Sequence, residues 1–357
     1  MKTIVRRTVR TLSLFALTLM MTVSALAAET AFTDIPADAP YAESVAYLAE
    51  QGITSGTGNN CFSPDKPITV RQWAVLLCRA YGLEVSGEGW SELSENCVNT
   101  ACQKGWLSMG AVHMPDTKMC RSTLLESAFA AADITVYDSV LYPEGEVLSA
   151  ADNLLRIGRE LGLCAEDADS MEIVTRGETA QVLHAILTKE LSMAEPPMPV
   201  ALENRVGANI NGHLLALRSV PQAILDAFND RDWTYIIDFE YIDAYSKAHD
   251  IPCIGLTSYG TKTIYVSNAS AAVHELGHFL DWILDFPAEH ERLFLAEAEN
   301  SILRDYAKTN AREYFAECFD YWLAHSVDAV RMEAFTKAAP QTAAYLDTLA
   351  ANNWIIP

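Results

Sequence analysis

Apolar residues recur along this 357-residue chain at two distinct periods. Toward the C-terminus, Val273, Leu276, Leu280 and Ile283 fall three and four apart, which marks one buried face of a helix. Ser267-Asn268-Ala269-Ser270 stands just before them and offers N-cap residues. A second helix is predicted over residues 311–325, where Tyr314, Phe315, Cys318, Phe319, Trp322 and Leu323 form a broad apolar stripe. Upstream, helical patterning runs through Ala227. Short runs of β-branched and aromatic residues then predict strands at 233–237, near 254–257 and at 263–266, the last two separated by Tyr259-Gly260-Thr261.

The N-terminal half carries a degenerate repeat of helix, Gly-rich turn, loop and helix. In the first copy an amphipathic run around 42–49 leads through Gly52-Ile53 and Gly56 to Ile68-Thr69-Val70-Arg71-Gln72, which opens a helix through Ala80. The second copy has Gly105-Trp106-Leu107, then Cys120-Arg121-Ser122 before a helix through Ala131. The third has Leu154 to Leu161, then Val174-Thr175-Arg176-Gly177-Glu178 before a helix through Leu187. On this alignment Arg71, Arg121 and Arg176 hold equivalent places. These copies resemble S-layer homology modules, which usually come in threes and hold exported proteins on Gram-positive cell walls. The resemblance implies an all-α bundle of pseudo-threefold symmetry over about 31–190, with modules near 31–82, 88–132 and 145–190. It also implies that Arg71, Arg121 and Arg176 bind an anionic secondary wall polysaccharide, a role suited to a forked cation at a helix N-terminus. Copies one and two depart from the family pattern, lacking the glutamate that follows the arginine and having Gln72-Trp73 and Ser122-Thr123 there.

A Pro-rich stretch, Glu195-Pro196-Pro197-Met198-Pro199, lies between the two regions and predicts a linker over 191–200 and a second domain over 201–357. At the other end, Lys2, Arg6, Arg7 and Arg10 precede an apolar run and Ala25-Leu26-Ala27, so residues 1–27 read as a secretory signal. Without those four cations the formal charge falls from -22 to -26. So acidic a surface argues against nucleic acid and anionic lipid as partners, and no other segment is apolar enough to span a bilayer. Eight cysteines include no CxxC pair, which argues against a structural zinc ribbon; bridges and buried free thiols both stay open.

The candidate chemistry sits on the 273–283 helix. His274 and His278 are four apart, so their imidazoles leave one face and can share a metal, while Glu275 can reach a water on that metal. Neutral imidazole with carboxylate suits one catalytic Zn2+. Glu313 on the second helix is placed to be the third ligand. Glu317, a turn later, is a candidate to fix a ligand histidine's tautomer, and Asp281 is a second such candidate. The strand Thr263, Ile264, Tyr265, Val266 is expected to offer an edge to an extended peptide. The other six histidines are read as structural or surface residues.

His274 to Asp281 (HELGHFLD), Tyr306 to Glu317 (YAKTNAREYFAE) and Lys337-Ala338-Ala339-Pro340 closely resemble the catalytic domain of anthrax lethal factor and the Pro-Pro endopeptidases, which are gluzincin-type peptidases. The resemblance implies an α+β zincin-like fold, zinc ligands His274, His278 and Glu313, Glu275 as general base and Tyr306 as oxyanion donor. A phenol can play that part on chemical grounds as well. The expectation is thus a wall-tethered zinc endopeptidase acting on surface or nearby proteins, with Pro-Pro preference as one form of it. A catalytically silent wall-binding protein and a secreted lethal-factor-like toxin are the alternatives.

Overall fold

A computed structural model describes residues 32–143 and 145–354. The segment read as a secretory signal lies outside the described residues. Contacts divide the chain into two units: one from the start through Val136 with Leu148–Met193, the other Tyr137–Val147 with Ala194–Pro357. Residues 137–147, which run from between the second and third predicted copies into the first positions of the third, therefore belong to the second unit, and the third copy starts later than predicted. No described helix is long and apolar enough to cross a membrane.

The first unit is helical: α1 (Ala42–Glu50), α2 (Val70–Ala80), α3 (Gly89–Gln103), α4 (Arg121–Ala131), α5 (Ala150–Glu160) and α6 (Arg176–Thr188). Its symmetry rests on three extended loops that close a ring of backbone hydrogen bonds. Ile68 N–H donates to Val174 O at 3.3 Å, Val174 N–H to Met119 O at 3.1 Å, and Met119 N–H to Ile68 O at 3.0 Å. All three side chains are buried, so each loop supplies one apolar residue to the axis and satisfies its own backbone there.

The same bonds correct the alignment of the arginines. Val70, Arg121 and Arg176 each donate their N–H to the preceding loop of the ring, at Thr117, Glu172 and Lys66. Arg71 instead matches Ser122 and Gly177, whose N–H groups go with its own to Pro115, Ser170 and Pro64. Arg71 is thus one residue out of register with Arg121 and Arg176. Matching arginine to arginine misled because Val70 occupies the equivalent position.

The second unit is mixed α/β. Strands β1 (Leu202–Asn204), β2 (Thr234–Ile237), β3 (Gly255–Ser258) and β4 (Thr263–Val266) form one sheet in the order β1-β2-β4-β3. The β1–β2 and β2–β4 pairs are parallel and the β4–β3 pair is antiparallel. β4 is consequently an inner strand with both edges paired, and the expectation that Thr263 to Val266 offer an edge to a peptide is wrong. The edge strands are β1 and β3, of which β3 lies beside the site. A hairpin through Tyr259-Gly260 could be read locally, but the parallel pairing with β2 that closes the other side of β4 is non-local.

Helices α7 (Asn211–Ser219), α8 (Gln222–Asp230) and α9 (Phe239–His249) alternate with the first strands, and α10 (Ala272–Ile283) follows β4. Then come α11 (Ala288–Glu297), α12 (Ala311–His325), α13 (Ala329–Ala338) and α14 (Pro340–Ala351). Phe279 of α10 meets the buried rings of Phe228 and Trp233 edge-on, at 5.0 and 5.1 Å between centroids, which seats the helix on the core beside the sheet. On its other face Gly277 lies against α12: a Cβ there would stand 2.8 Å from Ala316 Cα. A mid-helix glycine costs about 1 kcal/mol relative to alanine, but here it permits the two helices to touch backbone to backbone.

Candidate metal centre

α10 and α12 bring three donors together. His274 Nε2 lies 3.1 Å from Glu313 Oε2, and His278 Nε2 lies 3.3 Å from the same oxygen. Bonds of ~2.0 Å to a tetrahedral zinc place neighbouring ligand atoms about 3.3 Å apart, so these separations fit. One donor atom from each of the three residues lies within 4.8 Å of the others, the one such cluster of three among the described residues. Asn310 caps α12, accepting from the Arg312 and Glu313 amides at 3.0 and 3.1 Å, and this fixes the turn that carries Glu313.

The carboxylates hold the cluster's charge balance. Burial alone would lower the pKa of His274, but hydrogen bonding to Glu313 and the contact with Glu317 outweigh it and push it up to about 10. For Glu313, burial raises the carboxyl while His274 and His278 overcome that and hold it well below the usual range. Glu317 Oε1 stands 2.8 Å from His274 Nδ1, yet the approach is too bent for a sound hydrogen bond from the ring. Arg304, which the sequence reading did not single out, grips Glu317 with two guanidinium nitrogens, Nε donating to Oε2 at 2.7 Å and Nη2 to Oε1.

Asp281 does not serve the ligand histidines. It bonds His290 Nδ1 at 2.7 Å, and His290 stacks on Phe315 and reaches the Tyr345 hydroxyl at 3.1 Å. His278 Nδ1 is buried with no partner at all. Asp281 is therefore part of a buried structural triad. The cause is the left-handed turn at Asp285 and Phe286, which folds α11 back so that His290 covers Asp281.

Glu275 is buried beside the cluster and receives a hydrogen bond from the Thr257 hydroxyl at 2.6 Å. Burial pushes its carboxyl above the ordinary glutamate range, opposed by the charges of His278 and His274 and by the Thr257 bond. Gly255, on the same strand, comes so near that a Cβ would lie 2.4 Å from Glu275 Oε1. Neither Gly255 nor Thr257 carries a sequence signal of its own; each would have been found only by knowing that β3 lines the site.

Tyr306 lies in a short 3-10 turn at 305–308, half exposed, its ring 5.9 Å from that of His274. Burial, with the Glu313 charge, pushes its phenol up to about 12, so it keeps its proton at neutral pH. Glu275, His278, Tyr306, Arg312 and Glu313 line one cleft of about 340 Å³ together with Gly255 to Thr257. A larger cavity, about 960 Å³, lies in the first unit beside Arg121, but it gathers no metal-ligating cluster.

The three arginines expected to bind wall polysaccharide are already engaged. Arg121 is buried and bonds Glu172 at 2.8 Å and Glu178 at 2.9 Å. Arg176 is buried over the Phe62 ring and donates to the Phe62 carbonyl at 2.8 Å. Arg71 pairs with Asp116 at 2.8 Å. All eight cysteines are free thiols.

A mixed α/β unit whose two adjacent helices present two histidines and a glutamate around a buried glutamate has the make-up of a metal-dependent hydrolase of the peptidase class. The comparisons agree: residues 244–349 match the family described as anthrax toxin lethal factor, N- and C-terminal domain, and residues 31–69 match the S-layer homology domain. A 79-residue stretch is 38% identical to a cell surface protein of Thermoanaerobacter kivui, covering 22% of this chain and 10% of that protein. The chain thus matches about a tenth of that relative's length. The S-layer homology domain is characteristic of attachment to the wall of Gram-positive-type bacteria, which places the chain at the cell surface.

Proposed function

We propose that this chain is an exported zinc endopeptidase, tethered to the cell wall by its N-terminal modules and cutting proteins of the same surface or its surroundings. The observation that carries the reading is the convergence of His274, His278 and Glu313 beside a glutamate held on the edge strand. Residues 1–27 direct export, three modules over about 31–190 contact wall polysaccharide, residues 191–200 form a linker, and 201–357 form the catalytic domain. Because Arg121 and Arg176 are buried, their part in wall binding is to shape the loops around the ligand, while the more accessible Arg71 and Asp116 pair lies at the surface.

His274, His278 and Glu313 would hold the zinc, which when bound supplies a Lewis acid for the scissile carbonyl and acidifies the attacking water. The remaining steps belong to the chain. An extended substrate adds to the free edge of β3 through backbone hydrogen bonds. Glu275, its proton affinity raised by burial, takes the water's proton and returns it to the leaving amine. Tyr306 keeps its phenolic proton and donates it as a hydrogen bond to the developing oxyanion.

The test is to measure zinc per purified chain and map cleavage of a peptide library by mass spectrometry. Equal cleavage by parent and Glu275→Ala would refute the mechanism, and cuts placed without regard to proline would remove the Pro-Pro preference. Recovery of the protein in culture medium instead of a washed wall fraction would overturn the tether.

A further inference from the structure

Arg312 stands one residue before Glu313 on α12 and lines the same cleft as Glu275, His278 and Tyr306. Its guanidinium carbon lies 4.2 Å from the centre of the Phe286 ring and 5.7 Å from that of Tyr259. These cation–π contacts hold the guanidinium in the cleft while its N–H groups remain available to donate. Among the described residues Arg312 has no carboxylate within ion-pair distance, whereas Arg121 and Arg304 are each taken by glutamates. In a chain with 47 acidic and 25 basic residues, a cation left unpaired beside the catalytic groups stands out.

The support beneath it is costly to build. Asp285 and Phe286 both adopt left-handed backbone, with φ of 62° and 47°, a conformation that non-glycine residues rarely hold. The Phe286 amide donates to Asp281 O at 3.0 Å, ending α10, and the turn delivers the Phe286 ring to Arg312.

We propose that Arg312 is a specificity residue that selects substrates bearing a carboxylate within two residues of the scissile bond. The inference rests on the peptidase reading above and deepens it. A guanidinium edge matches a carboxylate with two parallel hydrogen bonds, and although Arg312 is exposed in the free chain, a charge-assisted pair that bound substrate covers favours the acidic substrate by on the order of tenfold in kcat/KM. The carboxylate can belong to an Asp or Glu side chain or to the end of the substrate chain.

The experiment uses the full zinc-loaded chain and competing peptides that differ only by Glu, Gln or Lys at each position around the cut, with free or amidated C-termini. The expected result is a tenfold or greater preference for Glu over Gln at one position, reversed toward Lys by Arg312→Glu. Dependence on a free C-terminus in place of an internal Glu would assign the same site to the terminal carboxylate. The preference of the unaltered chain stands as a test even if the variant folds poorly. In parallel, fluorescence anisotropy with labelled peptides on the Glu275→Gln chain reads binding without turnover. Cleavage and binding both indifferent to the carboxylate overturn the inference; carboxylate-selective binding with no cleavage of any peptide supports it and overturns the peptidase reading instead.

Discussion

The Thr257 hydroxyl donates to Glu275 Oε2 at 2.6 Å, tying the candidate base to the edge strand on which a substrate would lie. Gly255 completes that contact, because any side chain there would meet the end of Glu275. Gly255→Ala is expected to displace the Glu275 carboxylate and lower kcat by roughly 10–100-fold while zinc content is unchanged, since misplacing a catalytic group by about an ångström has costs of that order. Steady-state kinetics with metal analysis on the same preparation checks it; unchanged kcat would show that the strand does not position the base.

Arg304 reaches the metal ligands only through Glu317, which stands beside His274. Arg304→Met should leave Glu317 drifting and weaken zinc binding by about 10–100-fold, the usual effect of losing an outer partner of a metal ligand. Competition against a chromophoric chelator measures the shift, with circular dichroism to establish that the helices persist.

Tyr306→Phe removes one proton donor and little volume. If the phenol stabilises the oxyanion, kcat should fall by about 10²–10³-fold with KM nearly constant. Because burial and Glu313 push the phenol up to about 12, its ionisation should contribute no loss of activity between pH 6 and about 9 in a pH profile of the parent chain.

Glu178 gives the first unit an acid-sensitive joint. It accepts from the Thr175 amide at 2.8 Å and from Arg121 at 2.9 Å. Burial acts to raise its pKa, but the Thr175 and Arg121 bonds prevail and hold it below its ordinary 4.5. A depressed folded pKa means that the stabilisation is present above 4.5 and fades as pH falls through the lowered folded value. Glu178→Ala should therefore cost about 1 kcal/mol near neutral pH from the lost cap, and more if Arg121 is left short of partners. Thermal melts at pH 7 and pH 3 read this: the variant's deficit should shrink in acid.

The helices that carry the ligands were legible because their patterns are local. The stripe from Tyr314 to Leu323 predicted 311–325, the span of α12, and Val273 to Ile283 gave α10. What failed was non-local. Which neighbour β4 takes depends on its parallel pairing with β2, and no pattern within Thr263 to Val266 reports it. Asp281 was assigned by its closeness to the histidines in sequence, whereas a left-handed turn at Asp285 brings His290 to it. The repeat arginines were found by letter, but the backbone ring at Ile68, Met119 and Val174 sets the true register and places Val70 opposite Arg121 and Arg176.

Gly277 and Ala316 bear on the metal centre from a distance. Because two of the smallest residues set how closely α10 and α12 approach, the gap between the histidine pair and Glu313 is fixed by the polypeptide and not by the ion it would hold. On the proposed reading, a larger side chain at either position would change the ligand spacing and with it the affinity for the ion, although neither residue touches the ion itself.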